Sequence, residues 1–409
     1  MNKKLKLWQK VIIGMFLGTL FGIFAKEYTK YVHPFGDVFL NMIKMVVIPL
    51  ILFSILNGVT NISDASTFGR LGSRAFLMYM FTTAFAVTIG LSFANIFQPG
   101  SGFHIELSSP PGVQTSQDIV SLLVNIIPSN PIKAMAESQT LQVVIFSFFT
   151  GYALILIGEK GREVKNLITS CTHLVFKMIQ LVIQLTPYGV FAIMSKVVAE
   201  YGIGLMFYLG KFISVVLGAL FVQYILFGIM ILTIGRLNPF PFYYKMFTTQ
   251  ALALATSSSK ATLATAISEL RNKMGVSKET ASFILPLGAA VNMDATAIYL
   301  GICAVFFSQV FGIQLDASDY VILILTITIG SIGAAGFPGG SMVMMGMVLS
   351  SVGIPLEGIG VILGIDRILE MVRTMINITG DCTVTLIVDS IEGTFNKKTY
   401  YSKTKYLNS

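Results

Sequence analysis

The chain has 409 residues, of which 54% are hydrophobic and only 12% charged. Soluble domains carry about 25% charge, so this chain cannot cover a water-facing surface. Long apolar runs recur from end to end, and the membrane is its solvent. The net charge of +8 gathers in part at the ends: Lys3, Lys4, Lys6 and Lys10 precede the first apolar run, and Lys397, Lys398, Lys403 and Lys405 follow the last. Short juxtamembrane clusters of this kind mark cytoplasmic termini and argue against a nucleic-acid surface. Cys171, Cys303 and Cys382 are odd in number and set in apolar runs, so no disulfide framework follows. His33, His104 and His173 lack metal-ligand spacing.

The first apolar run has no small-residue cleavage site after it and reads as a first span near 10–28. A second span is expected near 36–62 and a third near 73–97. The Pro-rich stretch 98–117, with Pro110 and Pro111, is a loop. Apolar sequence resumes at 119–158 but is interrupted by Pro128, Asn130 and Pro131, which predicts broken helix. A helix at 163–198 contains Pro187, and another covers 204–235. The last 170 or so residues differ. A serine run at Thr256–Ser259 and a Gly-rich run at Gly330–Ser341 each interrupt apolar segments too short to be comfortable spans. Each is followed by a polar-marked helix, at 277–311 and at 357–391. Non-helical backbone at membrane depth survives only against protein or a water-filled cavity, and two such interruptions in corresponding places suggest a repeat around a midplane site.

The last helix carries the strongest chemical signal. Asp366, Glu370, Arg373, Asn377 and Asp381 are spaced 4, 3, 4 and 4, which places them within roughly an 80° arc of one helical face. Thr374 sits beside the stripe. Charge inside a membrane segment is costly and normally faces a cavity or partners. The bland alternative is a structural ion-pair network in which acidic neighbours neutralise Arg373. Three acids against one base leave a negative surplus that suits a bound cation. Asn292, Met293, Asp294 and Thr296 form a second cluster. Its oxygens suit a hard monovalent cation, although the Met293 thioether is soft. Packing through small polar residues would explain the Asn or Thr alone, but not the Asp. The serine run at a helix break would expose N–H groups to a carboxylate. No phosphate-binding G-x-x-x-x-G-K-[ST], G-x-S-x-G or H-E-x-x-H motif occurs, which leaves neither a nucleotide-driven pump nor a hydrolase signalled.

Four segments, Thr256–Leu263, Asn292–Asp294, Gly333–Gly339 and Arg373–Asp381, in this order resemble the dicarboxylate/amino acid:cation symporters, the glutamate transporter family. The likeness covers nearly the whole chain. It implies an all-α polytopic membrane protein with eight transmembrane helices, two re-entrant helical hairpins, inverted repeats and an elevator-type movement in a homotrimer surrounded by lipid. By the same resemblance, 1–72 holds scaffold helices, 73–117 a transport-domain helix and loop, 118–200 further scaffold, 201–395 the rest of the transport domain, and 396–409 a cytoplasmic tail. Substrate would be held by Ser257, Ser259, Thr296, Phe337, Ser341, Glu370, Arg373, Thr374 and Asn377. The arginine would take the side-chain carboxylate. Sodium would be held at Tyr79, Thr82, Thr83, Gly288, Asn292, Met293, Asp294, Ser331, Asn377 and Asp381. The sequence departs from the family pattern at Glu370, usually Asp, at Lys260 and Ala264 in the first hairpin, and at Ala334. Asp366-Arg367 resembles the proton-coupled branch, whereas Asp381 and Asn292-Met293-Asp294 resemble the sodium-coupled one. Arg367 lies about 100° around the helix from Asp366, so it need not touch the ligand. The resulting expectation is sodium-coupled uptake of glutamate or aspartate across an inner membrane, with proton-coupled uptake of a C4-dicarboxylate as the alternative.

Overall fold

A computed structural model describes residues 7–62, 69–103, 127–137, 139–202, 204–334, 340–356 and 359–402, and every regular element among them is helical. The first half comprises α1 (Leu7–Phe24), α2 (Thr29–Ile62), α3 (Gly69–Phe97), α4 (Pro131–Ala136), α5 (Thr140–Ile157), α6 (Arg162–Gln184), α7 (Thr186–Tyr201) and α8 (Leu205–Thr233). The expected spans near 10–28, 36–62, 73–97 and 204–235 fall on α1, α2, α3 and α8. The helix expected over 163–198 is instead two, α6 and α7, with the break just before Pro187. Proline lacks an N–H donor, and its ring clashes with the carbonyl four residues back, so the chain restarts with Pro187 in the first turn of α7. Most of the expected loop at 98–117 lies outside the described residues.

α1 and α7 pack through a glycine stripe. Gly14, Gly18 and Gly22 recur every four residues and oppose Pro187, Phe191 and Ser195. A Cβ on Gly18 would stand 2.5 Å from the Phe191 carbonyl oxygen, and one on Gly22 2.6 Å from that of Ser195. Small residues at this spacing let backbones approach, and in lipid, where apolar side chains gain nothing by leaving the solvent, close packing supplies the association.

The second half comprises α9 (Pro239–Lys245), α10 (Phe247–Thr256), α11 (Ser259–Asn272), α12 (Lys278–Val291), α13 (Asp294–Phe311), α14 (Ala317–Ala334), α15 (Gly340–Ser351), α16 (Ile359–Glu392) and α17 (Lys397–Tyr401). α10 and α11 fold back on each other at the serine run. Ser257 is left-handed, with φ +51°, and the Ser258 hydroxyl accepts from Ala261 N at 3.3 Å as the N-cap of α11. A serine rather than a helix-former at this corner both turns the chain and closes the next helix start. α14 and α15 flank the Gly-rich segment, whose residues 335–339, including Phe337, lie outside the described residues.

The helix expected over 277–311 is interrupted at Asn292 and Met293. Asn292 is extended, at φ −108° and ψ 122°. Periodicity could not reveal this break, because the sequence is apolar on both sides. Residues 291–308, the break and most of α13, are buried throughout, whereas α12 leaves Lys278, Glu279, Ser282 and Pro286 exposed. The most apolar stretches of Leu71–Phe97 and Phe207–Thr233, also long and apolar enough to cross a membrane, are 44% buried. The break therefore lies in a protein interior and not against lipid, as an interruption in a span requires.

One polar anchor ties the far end of the chain to the hairpin. The Lys245 ammonium, on the 5% exposed end of α9, donates to the carbonyls of Lys273 (2.7 Å), Thr399 (3.0 Å) and Tyr400 (2.7 Å). Tyr400 in turn donates to the Asn238 carbonyl at 2.7 Å. Three carbonyl dipoles pointed at one cation replace its water and join α9, the end of α11 and α17. Replacing Lys245 by Met removes the donor from the Lys273 and Tyr400 carbonyls, whereas that of Thr399 still accepts from Ser402 N and Oγ, at a cost of about 2 kcal/mol. Lys245→Met is therefore expected to lower the melting temperature in detergent and to speed tryptic cleavage after Lys397 and Lys398, which are already exposed but held in α17. A tail as resistant as the wild type would refute the anchor.

Candidate functional site

The hairpin corner, the break in α12–α13, the start of α15 and the middle of α16 meet around one cavity. Its walls are Ser257 and Ser259 from the hairpin, Met293 and Thr296 from the broken helix, Ser341 from α15, and Glu370, Arg373, Thr374 and Asn377 from α16. Every residue expected around substrate lines this cavity except Phe337, which lies outside the described residues.

Arg373 dominates the wall. Its residue exposure is 1%, and a helical side chain leans toward the N-terminus of its helix, so it reaches back two turns to Asp366. Nη2 donates to Asp366 Oδ1 at 2.8 Å and to Ser341 Oγ at 3.0 Å. The guanidinium carbon lies 3.7 Å from the ring centre of Tyr299, a cation–π contact, worth about 2 kcal/mol when desolvated. The expected neutralising pair thus exists, with Asp366 as the partner. It does not saturate the arginine, because among the described residues Nη1 is buried without a hydrogen-bond partner. An orphaned buried N–H costs about 1–3 kcal/mol. A carboxylate in the cavity would satisfy it, in the planar geometry that guanidinium favours. On the next turn up, Arg367 Nη1 is ion-paired with Glu370 Oε2. Glu370 lines the cavity, and Arg367 is tied to the site through this pair without lining the cavity itself. The i,i+3 spacing brings the two side chains together even though Arg367 leaves the stripe.

A second polar cluster lies behind the first. Asp294 and Asp381 are fully buried. Among the described residues neither has an ion-pair partner. Thr83 Oγ1 bridges Asn292 Oδ1 (3.1 Å) and Asp294 Oδ1 (3.0 Å). Gln223 Nε2 reaches Asp294 Oδ2 at 3.4 Å, and Asn292 Nδ2 donates to Asp381 Oδ1 at 3.0 Å. Among the described residues Asp381 Oδ2 has no hydrogen-bond partner. Asn377 links the two clusters, since its Oδ1 accepts from Ala295 N at 2.8 Å and its Nδ2 donates to Thr296 Oγ1 at 3.3 Å. Around this core, Thr82 donates to the Tyr79 carbonyl (3.1 Å), Tyr79 Oη to the Ile284 carbonyl (3.2 Å) and Ser331 to the Val291 carbonyl (3.2 Å). Gly288 faces Tyr79 and Asp381. The residues expected at sodium thus surround the helix break. Two buried carboxylates with amide, hydroxyl and carbonyl oxygens nearby form a donor set for a hard monovalent cation or for a proton, either of which would remove the cost of uncompensated charge.

Sequence reasoning did not single out Tyr299 or Gln223. Tyr299 is three residues beyond Thr296 on α13, hence on the same face. Gln223 is an isolated amide in the apolar run of α8, and a lone polar residue there is the signal that was present.

The sodium:dicarboxylate symporter family model matches residues 7–391. A proton/sodium-glutamate symport protein of Bacillus subtilis is 33% identical over 406 residues, covering 96% of this chain and 94% of its own. A proton/sodium-glutamate symport protein of Geobacillus stearothermophilus is 32% identical, with 97% of each chain covered. A C4-dicarboxylate transport protein of Rhizobium leguminosarum is 33% identical, over 93% of this chain and 88% of its own.

Gly288 offers a direct probe of the second cluster. A Cβ there would stand 2.5 Å from Tyr79 Oη and 2.8 Å from Asp381 Oδ1, and the Tyr79 ring is fully buried and has no room to retreat. Gly288→Ala is expected to raise the sodium concentration needed for half-maximal thermal stabilisation by about tenfold, the size of a modest overpacking penalty. An unchanged sodium titration would separate this corner from the cation.

Proposed function

The chain belongs to the sodium:dicarboxylate symporter family, a family of membrane transporters and not of enzymes, and we propose that it carries glutamate or aspartate inward together with sodium. The observation that carries this reading is the cavity's pairing of opposite charges. Arg373, with its unsatisfied Nη1, meets a carboxylate, and Glu370 on the turn above meets an ammonium. Thr374, Asn377 and the serines of the hairpin corner supply the remaining polar contacts. Sodium binds between Asp294 and Asp381, where the unpartnered Asp381 Oδ2 calls for a cation. Asn377 touches both clusters, so the order that sodium imposes on the helix break also prepares the substrate cavity. By linkage, each ligand then raises the affinity for the other.

In the same proposal, 1–72 and 118–200 form a static scaffold, while 73–117 and 201–395 move as one loaded body, in a homotrimer of the inner membrane with both termini cytoplasmic. The glycine-lined packing of α1 on α7 favours a rigid scaffold, and the packing of α3 against α13 favours moving those two helices together. A second reading, proton-coupled uptake of a C4-dicarboxylate, is favoured by the Arg367–Glu370 pair, which occupies the carboxylate that an ammonium needs.

Uptake of labelled glutamate, aspartate and succinate into proteoliposomes, under a sodium gradient and separately under a proton gradient, distinguishes the two. Sodium-driven accumulation of an amino acid is expected. Proton-driven uptake of succinate in preference to both amino acids would establish the second reading. Arg373→Ala is expected to abolish binding of the acidic substrate in protein that still folds, and wild-type affinity in that variant would remove the arginine from the site. Asp381→Asn is expected to weaken the sodium dependence of uptake, and an unaltered dependence would make Asp381 structural.

A further inference from the structure

Glu370 lines the substrate cavity at 8% exposure, and its Oε2 is held by Arg367 Nη1. The two side chains are 11% and 27% exposed, which is much less than a solvated surface pair, and Arg367 Nε is buried without a hydrogen-bond partner. The guanidinium is therefore committed to Glu370 at one corner of its fork only. Along this stretch of α16 the charges fall into two pairs, Asp366 with Arg373 and Glu370 with Arg367. The first pair leaves Arg373, which lines the cavity, with Nη1 unpartnered among the described residues. The second neutralises the one acid that faces it.

We infer that Arg367 is a specificity-determining residue, an internal cation that competes with a substrate ammonium for Glu370 and so sets the balance between amino acids and amine-free dicarboxylates. The inference rests on the reading of this cavity as the substrate site. Its physical basis is symmetrical. An ammonium that binds Glu370 must displace or share the Arg367 guanidinium, which weakens amino-acid binding. A dicarboxylate without an amine places no positive charge there, and an unneutralised Glu370 would repel it. Arg367 removes that repulsion. Discrimination is a difference of two affinities, and one guanidinium lowers one and raises the other.

Aspartate and succinate are the appropriate probes, because they differ only in the amine. Their dissociation constants are measured by calorimetry on the purified full-length protein at saturating sodium. Arg367→Ala is expected to tighten aspartate and weaken succinate, moving the ratio of the two constants toward aspartate by about tenfold or more. Arg367→Lys keeps a cation and should leave the ratio near that of the wild type. Arg367→Gln, which preserves side-chain length, carries the same expectation as Arg367→Ala if the alanine variant does not fold. In a Glu370→Gln background, Arg367→Ala should no longer shift the ratio. A ratio unmoved by Arg367→Ala and Arg367→Gln overturns the inference, as does an equal shift with and without Glu370. Failure of the wild type to bind either acid would instead overturn the reading of the cavity itself, and the inference with it.

Discussion

The second half of this molecule is organised around one constraint: α16 carries ionisable groups buried within the protein, away from lipid. Asp366, Arg373 and Asp381 are at most 1% exposed, and an uncompensated buried charge costs several kcal/mol even after relaxation, by order of magnitude. The protein meets that cost by bringing interrupted backbone to the charges. The hairpin corner at Ser257, the break at Asn292–Met293 and the start of α15 at Ser341 all deliver polar groups to the same level of α16. None of these breaks would be tolerable against lipid. Each lies where α16 supplies something for the freed groups to face.

Among the described residues the compensation is incomplete at four atoms of α16: the donors Arg367 Nε and Arg373 Nη1 and the acceptors Asp366 Oδ2 and Asp381 Oδ2 are buried without a hydrogen-bond partner. Ion pairing alone therefore does not satisfy this helix. In the proposed reading an anion in the cavity meets Arg373 and a cation behind the helix break meets Asp381. Asn377 lines the cavity and is hydrogen-bonded to the first turn of α13 beside Asp294, so it stands between the two. Coupling would then need no long-range path, since both ligands would bear on one asparagine and one helix break.

Much of this was legible in the sequence. The charged stripe of α16 announced itself by spacing, and the serine run, Asn292-Met293-Asp294 and the end of the Gly-rich run at Ser341 announced three further walls. The order of those segments carried the family resemblance. The positions of α1, α2, α3 and α8 followed from apolar run length. The break within 277–311 did not, because hydropathy is blind to a two-residue change of backbone conformation inside continuous apolar sequence. Pro187 was visible, yet only the structure shows that it ends one helix and starts another. Tyr299 and Gln223 escaped because a single aromatic or amide in an apolar helix has no periodic signature. By helical angle alone Arg367 had no need to touch a ligand, and that angle gave no sign of its pairing with Glu370. A long side chain with an acid three residues on is governed by that neighbour, and its angular offset does not exclude it.

The central claim is that the anion site and the cation site are energetically one unit joined at Asn377 and the α12–α13 break. Calorimetric titration of aspartate into the purified protein at a series of sodium concentrations tests it most directly, with sodium titrated at fixed aspartate as the reciprocal arm. The account predicts that aspartate affinity rises steeply with sodium and that sodium affinity rises by the same factor with aspartate, as linkage demands. Binding of both ligands with affinities independent of each other would contradict it.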